Sequence, residues 1–134
     1  MTLEELLDAA QARIRRYTPH EAAAAIEHGA LLVDIRAQDA RDRDGAIRGA
    51  YHVPRTVLEW RVASDEDRNP ALEARRIVLV CDHGFSSILA AASLVDLGCD
   101  AGDVIGGFAA WVDAGLPVTD ARSHDGRPGM GPPD

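Results

Sequence analysis

The sequence contains no lysine. All fourteen of its basic residues are arginine, set against 22 acidic residues, for a formal net charge of −8. A surplus of that sign argues against a nucleic-acid surface. Arginine without lysine, in a chain so rich in alanine, reads as compositional bias and not as a binding device. Cysteine is also scarce: Cys81 and Cys99 are too few for a disulfide framework. Long apolar runs are missing, and none approaches the ~20 residues of a membrane-spanning helix. The opening MTLEELLDAAQ carries acids where a signal peptide carries positive charge, and it has no long apolar core. His20, His28 and His124 show no metal-ligand spacing, so no metal and no cofactor are expected. What remains is one globular domain in 134 residues, large enough to fold alone. The expected location is the cytoplasm, without membrane attachment, where a free thiol stays available.

Periodicity outlines the elements. Thr2 and Glu5 form a capping box ahead of Leu3, Leu6, Leu7, Ala10 and Ile14, which share one helical face. Arg13, Arg15 and Arg16 are expected to close this helix as a solvated cationic end. Thr18, Pro19 and Glu21 open a second helix that stops at Gly29. ALLVDI, residues 30–35, and RIVLVC, residues 76–81, are short apolar runs of buried-strand type. AYHVP (50–54) is a weaker strand, and TVLEWRV (56–62) a short helix. ASDEDRNPALEARR reads as a loop with a turn at Asn69-Pro70. SSILAAASLVDL (86–97) has the stripe Ile88, Ala91, Ala92 and Val95, ended by Gly98. DVIGG predicts a strand and FAAWVDAG a helix, with Trp60 and Trp111 as packing residues. From residue 119 the composition shifts to Gly, Pro, Arg and Asp, so 119–134 is expected to be a disordered tail. Strands that alternate with helices define an α/β domain with a mainly parallel sheet and helices on both faces. In such sheets ligands sit beyond the carboxyl ends of the strands.

Cys81 ends the strongest strand. The stretch VCDHGFSS follows it into a helix start. Gly84 permits a tight turn, consecutive amides there can form an anion cradle, and the helix adds its positive end. All of this favours thiolate over thiol. A thiolate so placed can attack a sulfur donor and hold the transferred sulfur as a persulfide. The competing reading is a small buried hydrophobe.

CDHGFSS resembles the active loop of the rhodanese-like family, C-x-x-G-x-R-S. LLVDIRAQDARDRDGAIRGAYHVP, with Asp34, Arg36 and Gly45 to Ala50, is similar to the family's first signature. SSILAAASLVDLGC resembles the helix after the loop. DVIGGFAAWVDAGLPV resembles the closing signature, with Gly106, Gly107, Trp111, Gly115 and Pro117. The resemblance implies a five-stranded, mostly parallel sheet across 18–118, with 1–17 as an N-terminal helical extension. It implies transfer of sulfane sulfur from a small-molecule donor, such as thiosulfate or a persulfide, to a thiol or cyanide acceptor. Cys81 maps onto the nucleophile, and Asp82, His83, Gly84, Phe85 and Ser86 onto the loop.

Here the loop departs from the family: Ser86 stands where the family often has Arg, and no basic Arg or Lys lies in it. Asp82 pointing inward would raise the Cys81 pKa and repel thiosulfate; outward, it faces solvent or caps loop amides. His83 is a candidate acid or base or an exposed loop residue, and Phe85 a pocket wall or a packing residue. Ser86 and Ser87 can bind an anion or cap the helix. Arg36 can reach the ligand side of the sheet or pair with Asp34. His52 and Arg55 can line the pocket or lie on the surface. Three functions follow: a sulfurtransferase working through Cys81, a non-catalytic binding module with a protein partner, and a redox thiol enzyme pairing Cys81 with Cys99. A cysteine phosphatase is disfavoured, because it needs a loop Arg to clamp phosphate.

Overall fold

In the computed structural model, which describes residues 1–72 and 76–121, helices and strands alternate between Leu3 and Asp113. Helix α1 spans Leu3–Arg13 and α2 spans Pro19–Glu27, and both open on complete capping boxes, from Thr2 and Thr18. The remaining helices are α3 (Gln38–Asp44), α4 (Leu58–Ala63, after a 3-10 turn at Arg55–Val57), α5 (Ser86–Asp96) and α6 (Gly107–Asp113). The strands are β1 (Arg15–Tyr17), β2 (Leu31–Asp34), β3 (Tyr51–His52), β4 (Ile77–Val80) and β5 (Ala101–Val104). They form one sheet in the order β1-β5-β4-β2-β3, with every pairing parallel.

Period-2 alternation sorts the sheet's side chains between two cores. Leu31, Val33, Ile77, Leu79 and Cys81 meet Leu58, Val62, Ala90, Ala91 and Leu94 of α4 and α5 on one face. Leu32, Val78, Val80 and Val104 meet Ala22, Phe108 and Trp111 of α2 and α6 on the other. β2 and β4 are apolar almost throughout because helices cover both faces, as parallel sheets require. α1 lies outside α5, with Ala10 against Ile88 and Ala92. Trp111 is buried and donates its indole N–H to the Pro117 carbonyl at 2.9 Å.

Three expectations need correction, and one further segment is helical. Arg15 and Arg16 do not end the first helix. Ile14 turns extended, and the next three residues run as a strand beside β5, burying Tyr17. The segment before Thr18 therefore contributes a strand to the sheet. QDARDRD, which shows no apolar period, is helix α3, with Ala40 buried. Trp60 is 56% exposed, because α4 turns Leu58 and Val62 to the core instead. Thr119 is not free: it exchanges hydrogen bonds of 2.7 and 2.8 Å with Ala46. Residues 122–134 of the expected tail, His124 among them, lie outside the described residues.

Between β2 and β4 the chain reverses the direction in which it adds strands. The crevice at a parallel sheet's carboxyl edge opens at such a point. Asp34 and Val80 are register partners there, and Cys81 is the next residue.

Candidate active site

β4 delivers Cys81 to this edge, and the loop of residues 81–85 carries the chain into α5. Gly84 has φ +84, and a Cβ on it would stand 2.5 Å from the Gly106 nitrogen. A Cβ on Gly107 would meet the Cys81 carbonyl. These glycines let two backbones close on each other. The start of α6 then grips the loop: Phe108 N–H donates to the Cys81 carbonyl at 2.7 Å, and Ala109 N–H to the Asp82 carbonyl at 3.1 Å. With these carbonyls turned toward α6, the Gly84 amide points inward and donates to Cys81 Sγ at 3.1 Å.

Cys81 is 5% exposed. As a thiol it donates to Ser87 Oγ at 3.3 Å, and Ser87 donates to Asp103 Oδ2 at 2.7 Å. Burial is the largest single influence on the Cys81 pKa and raises it. Hydrogen bonds from the Ser87 and Ser86 hydroxyls and the Ser87 and Gly84 amides act the other way, and together they hold the thiol below its ordinary value. The N-terminal end of α5 lies beside the sulfur and favours the same anion.

The loop residues divide between two sides. Ser87 is fully buried and Ser86 exposed. Neither caps α5, whose cap position is Phe85 with no side-chain hydrogen bond. The Ser87 hydroxyl instead lies between Cys81 Sγ, from which it accepts, and Asp103, to which it donates. Phe85 is 69% exposed, so packing does not explain it. Asp82 and His83 line a cleft of about 380 Å³ with Arg43, Asp44, Phe108, Ala109, Val112 and Asp113. Asp82 acts electrostatically on Arg43 across that cleft.

Arg36 is buried. It makes a two-point contact with Asp34, donates to the Gly45 carbonyl at 2.8 Å, and lies 3.8 Å from the Phe108 ring centroid. Arg41 adds a second cation to Asp34. The pairing reading of Arg36 thus accounts for its placement, and it is not among the residues that line the cleft. His52 is half-buried and bonds the Arg36 carbonyl through Nε2 at 2.7 Å. Arg55 pairs with Glu59 one turn along. Cys99 follows α5 while Cys81 precedes it. An eleven-residue helix is about 16 Å long, far beyond disulfide reach, so the Cys81–Cys99 redox pairing is ruled out. Burial also raises the Cys99 pKa.

Sequence reasoning missed Asp103 and Arg16. Asp103 is completely buried on β5, and Arg16 is its register partner on β1. Arg16 holds it by Nε–Oδ1 and Nη2–Oδ2 bonds of 2.9 and 3.0 Å, and Nη2 also donates to the Gly84 carbonyl at 3.0 Å. Among the described residues, no group of three or more His, Cys, Asp or Glu is placed to hold a metal.

The family model of the rhodanese-like domain matches residues 18–114. Thiosulfate sulfurtransferase GlpE of Haemophilus influenzae strain PittEE is 34% identical over 109 residues, covering 80% of this chain and 96% of that protein. The Pseudomonas entomophila protein of the same name is 40% identical over 98 residues, covering 72% and 84%. Among solved structures, a Rhodopseudomonas palustris protein of unknown function, described as a possible tyrosine phosphatase, superposes with a TM-score of 0.81 at 32% identity, covering 88% of this chain and 94% of that one. A rhodanese homolog of Thermus thermophilus gives 0.56 at 30% identity, covering 72% and 99%. With a family model over most of its length, and the loop, sheet order and strand-end cysteine in place, the chain belongs to the rhodanese-like family.

Proposed function

We propose that this rhodanese-type sulfurtransferase carries sulfur as a persulfide on Cys81. The observation that carries the reading is the convergence of the Gly84 amide and the Ser87 hydroxyl on one buried sulfur. In the first half-reaction the Cys81 thiolate attacks the sulfane sulfur of the donor. A new S–S bond forms, and the donor's own bond to that sulfur breaks with its electron pair; thiosulfate thus leaves as sulfite. In the second, an acceptor thiolate attacks the outer sulfur, takes it as its own persulfide, and returns Cys81 as thiolate. The cradle that stabilises the thiolate also suits the persulfide anion. No metal or cofactor is needed at any step, and a reducing compartment such as the cytoplasm keeps the thiol available.

The lowered Cys81 pKa favours this reading over a binding module, in which the thiol would need no such support. The name of these relatives, thiosulfate sulfurtransferase, supports thiosulfate as a donor. Asp82 belongs to the cleft wall, beside Arg43 and His83, and there it would meet the donor or acceptor as it approaches. A phosphatase reading lacks its clamp, because the guanidinium tied to this loop, Arg16, is committed to Asp103 and the Gly84 carbonyl. The test is sulfur loading: incubation with thiosulfate, and separately with a persulfide donor, followed by the mass of intact wild type and Cys81→Ser. Loading of both proteins alike, or of neither, would overturn the assignment.

A further inference from the structure

We propose that Arg16 and Asp103 are positioning residues that set how readily Cys81 ionises, acting through the hydroxyl of Ser87. The proposal rests on Cys81 as the nucleophile.

The Ser87 hydroxyl has one proton and two neighbours that want it. In the thiol state the order is fixed: Sγ–H donates to Ser87 Oγ, and Ser87 donates to Asp103. A thiolate or persulfide at Cys81 has no such proton to give. To solvate that anion, the hydroxyl must turn from Asp103 to sulfur. Asp103 is wholly buried, and a buried carboxylate does not release a donor unless others remain. Arg16 supplies two, from the register position directly opposite. It also holds the Gly84 carbonyl, and so the peptide next to the amide that donates to Sγ. The pair therefore leaves Asp103 satisfied in both positions of the hydroxyl.

The other charged groups around this network are engaged or turned elsewhere. Asp82 and His83 of the loop line the cleft with Arg43, Asp44 and Asp113. Asp34 and Arg36, at the end of β2, close on each other. Glu59 of α4 is held by Arg55 and Ser93. No acid or base lies in the first turn of α5, and α6 presents Gly107 and Phe108 to the loop.

The two partners have opposite expected effects. Without Arg16, Asp103 keeps the hydroxyl and stands as an uncompensated negative charge two hydrogen bonds from sulfur. Without the Asp103 charge, an asparagine amide can donate to Ser87 Oγ, which frees the hydroxyl for sulfur while Arg16 stays cationic. In a Cys99→Ala background, the pH dependence of Cys81 alkylation by iodoacetamide reads this directly and needs no sulfur donor. Its failure is therefore distinct from failure of sulfur transfer, which the mass of the loaded protein reports. Arg16→Gln is expected to raise the alkylation midpoint by about one pH unit, and Asp103→Asn to lower it. A merely structural pair would shift both variants the same way. Shifts of one sign, or none in either, overturn the proposal. Should either variant fail to fold, Arg16→Lys and Asp103→Ser replace it, with the same signs and smaller shifts expected and the same outcomes decisive.

Discussion

Replacing Gly84 by alanine tests the packing that makes the loop. The residue has φ +84, and the new Cβ would lie 2.5 Å from the Gly106 nitrogen and 2.9 Å from its Cα. Both contacts are backbone, so no side chain can rotate away. A left-handed alanine costs about 1–2 kcal/mol, and overpacking of this kind adds about 1–3 kcal/mol. The expected loss is therefore about 2–5 kcal/mol, read as a lowered urea midpoint at unchanged slope. Relief of the clash must move the loop from the start of α6, which disturbs the bonds from Phe108 and Ala109 and the 3.1 Å bond from the Gly84 amide to Sγ. The variant should thus lose stability and also need a higher pH for alkylation of Cys81. A Gly84→Ala protein with the wild-type urea midpoint and the wild-type alkylation profile would refute the reasoning. A loss of stability alone would show that the amide does not support the thiolate.

Ser87→Ala removes a hydrogen bond to an anion, worth about 1.5–3 kcal/mol, and should raise the alkylation midpoint by about one to two units while slowing sulfur loading. Arg36→Met strips Asp34 of its two-point partner; breaking a buried pair costs about 3–5 kcal/mol, seen in urea, while the folded variant keeps the Cys81 alkylation midpoint. Burial lowers the His52 pKa below 6.5, against the hydrogen bond to the Arg36 carbonyl. Its contribution to stability is therefore present above the unfolded value and lost as pH falls through the folded one; urea midpoints should decline below about pH 6.5, less so in His52→Gln. Cys99→Ala should load sulfur as wild type does.

The path from residues to site was legible where the information is local. β4 is a run of branched apolar residues, Gly84 marks a turn, and the resemblance of CDHGFSS to a known loop placed Cys81 at once. The same local logic assigned Thr2 and Thr18 as caps, and both make the complete box. It left Ser86 and Ser87 open between binding an anion and capping the helix. A serine at a helix start reads as a cap, and only the position of Sγ shows that its hydroxyl has another partner. It failed for Arg16 and Asp103. An arginine after an amphipathic run looks like a solvated helix end, and an aspartate before valine looks like a strand's exposed start. The two lie 87 residues apart. Their pairing exists only once β1 and β5 are neighbours in a sheet, which no periodicity announces. Arg36 illustrates the intermediate case: the Asp-x-Arg spacing allowed both pocket and pair, and burial beside Asp34 decided for the pair.

The most direct test of Cys81 as a sulfur carrier is the intact mass of the protein after exposure to thiosulfate and, separately, to a persulfide donor. Wild type is expected to gain one sulfur atom and to lose it to an added thiol, while Cys81→Ser gains nothing. A wild-type protein that gains no sulfur from either donor, although Cys81 remains alkylatable, would contradict the account.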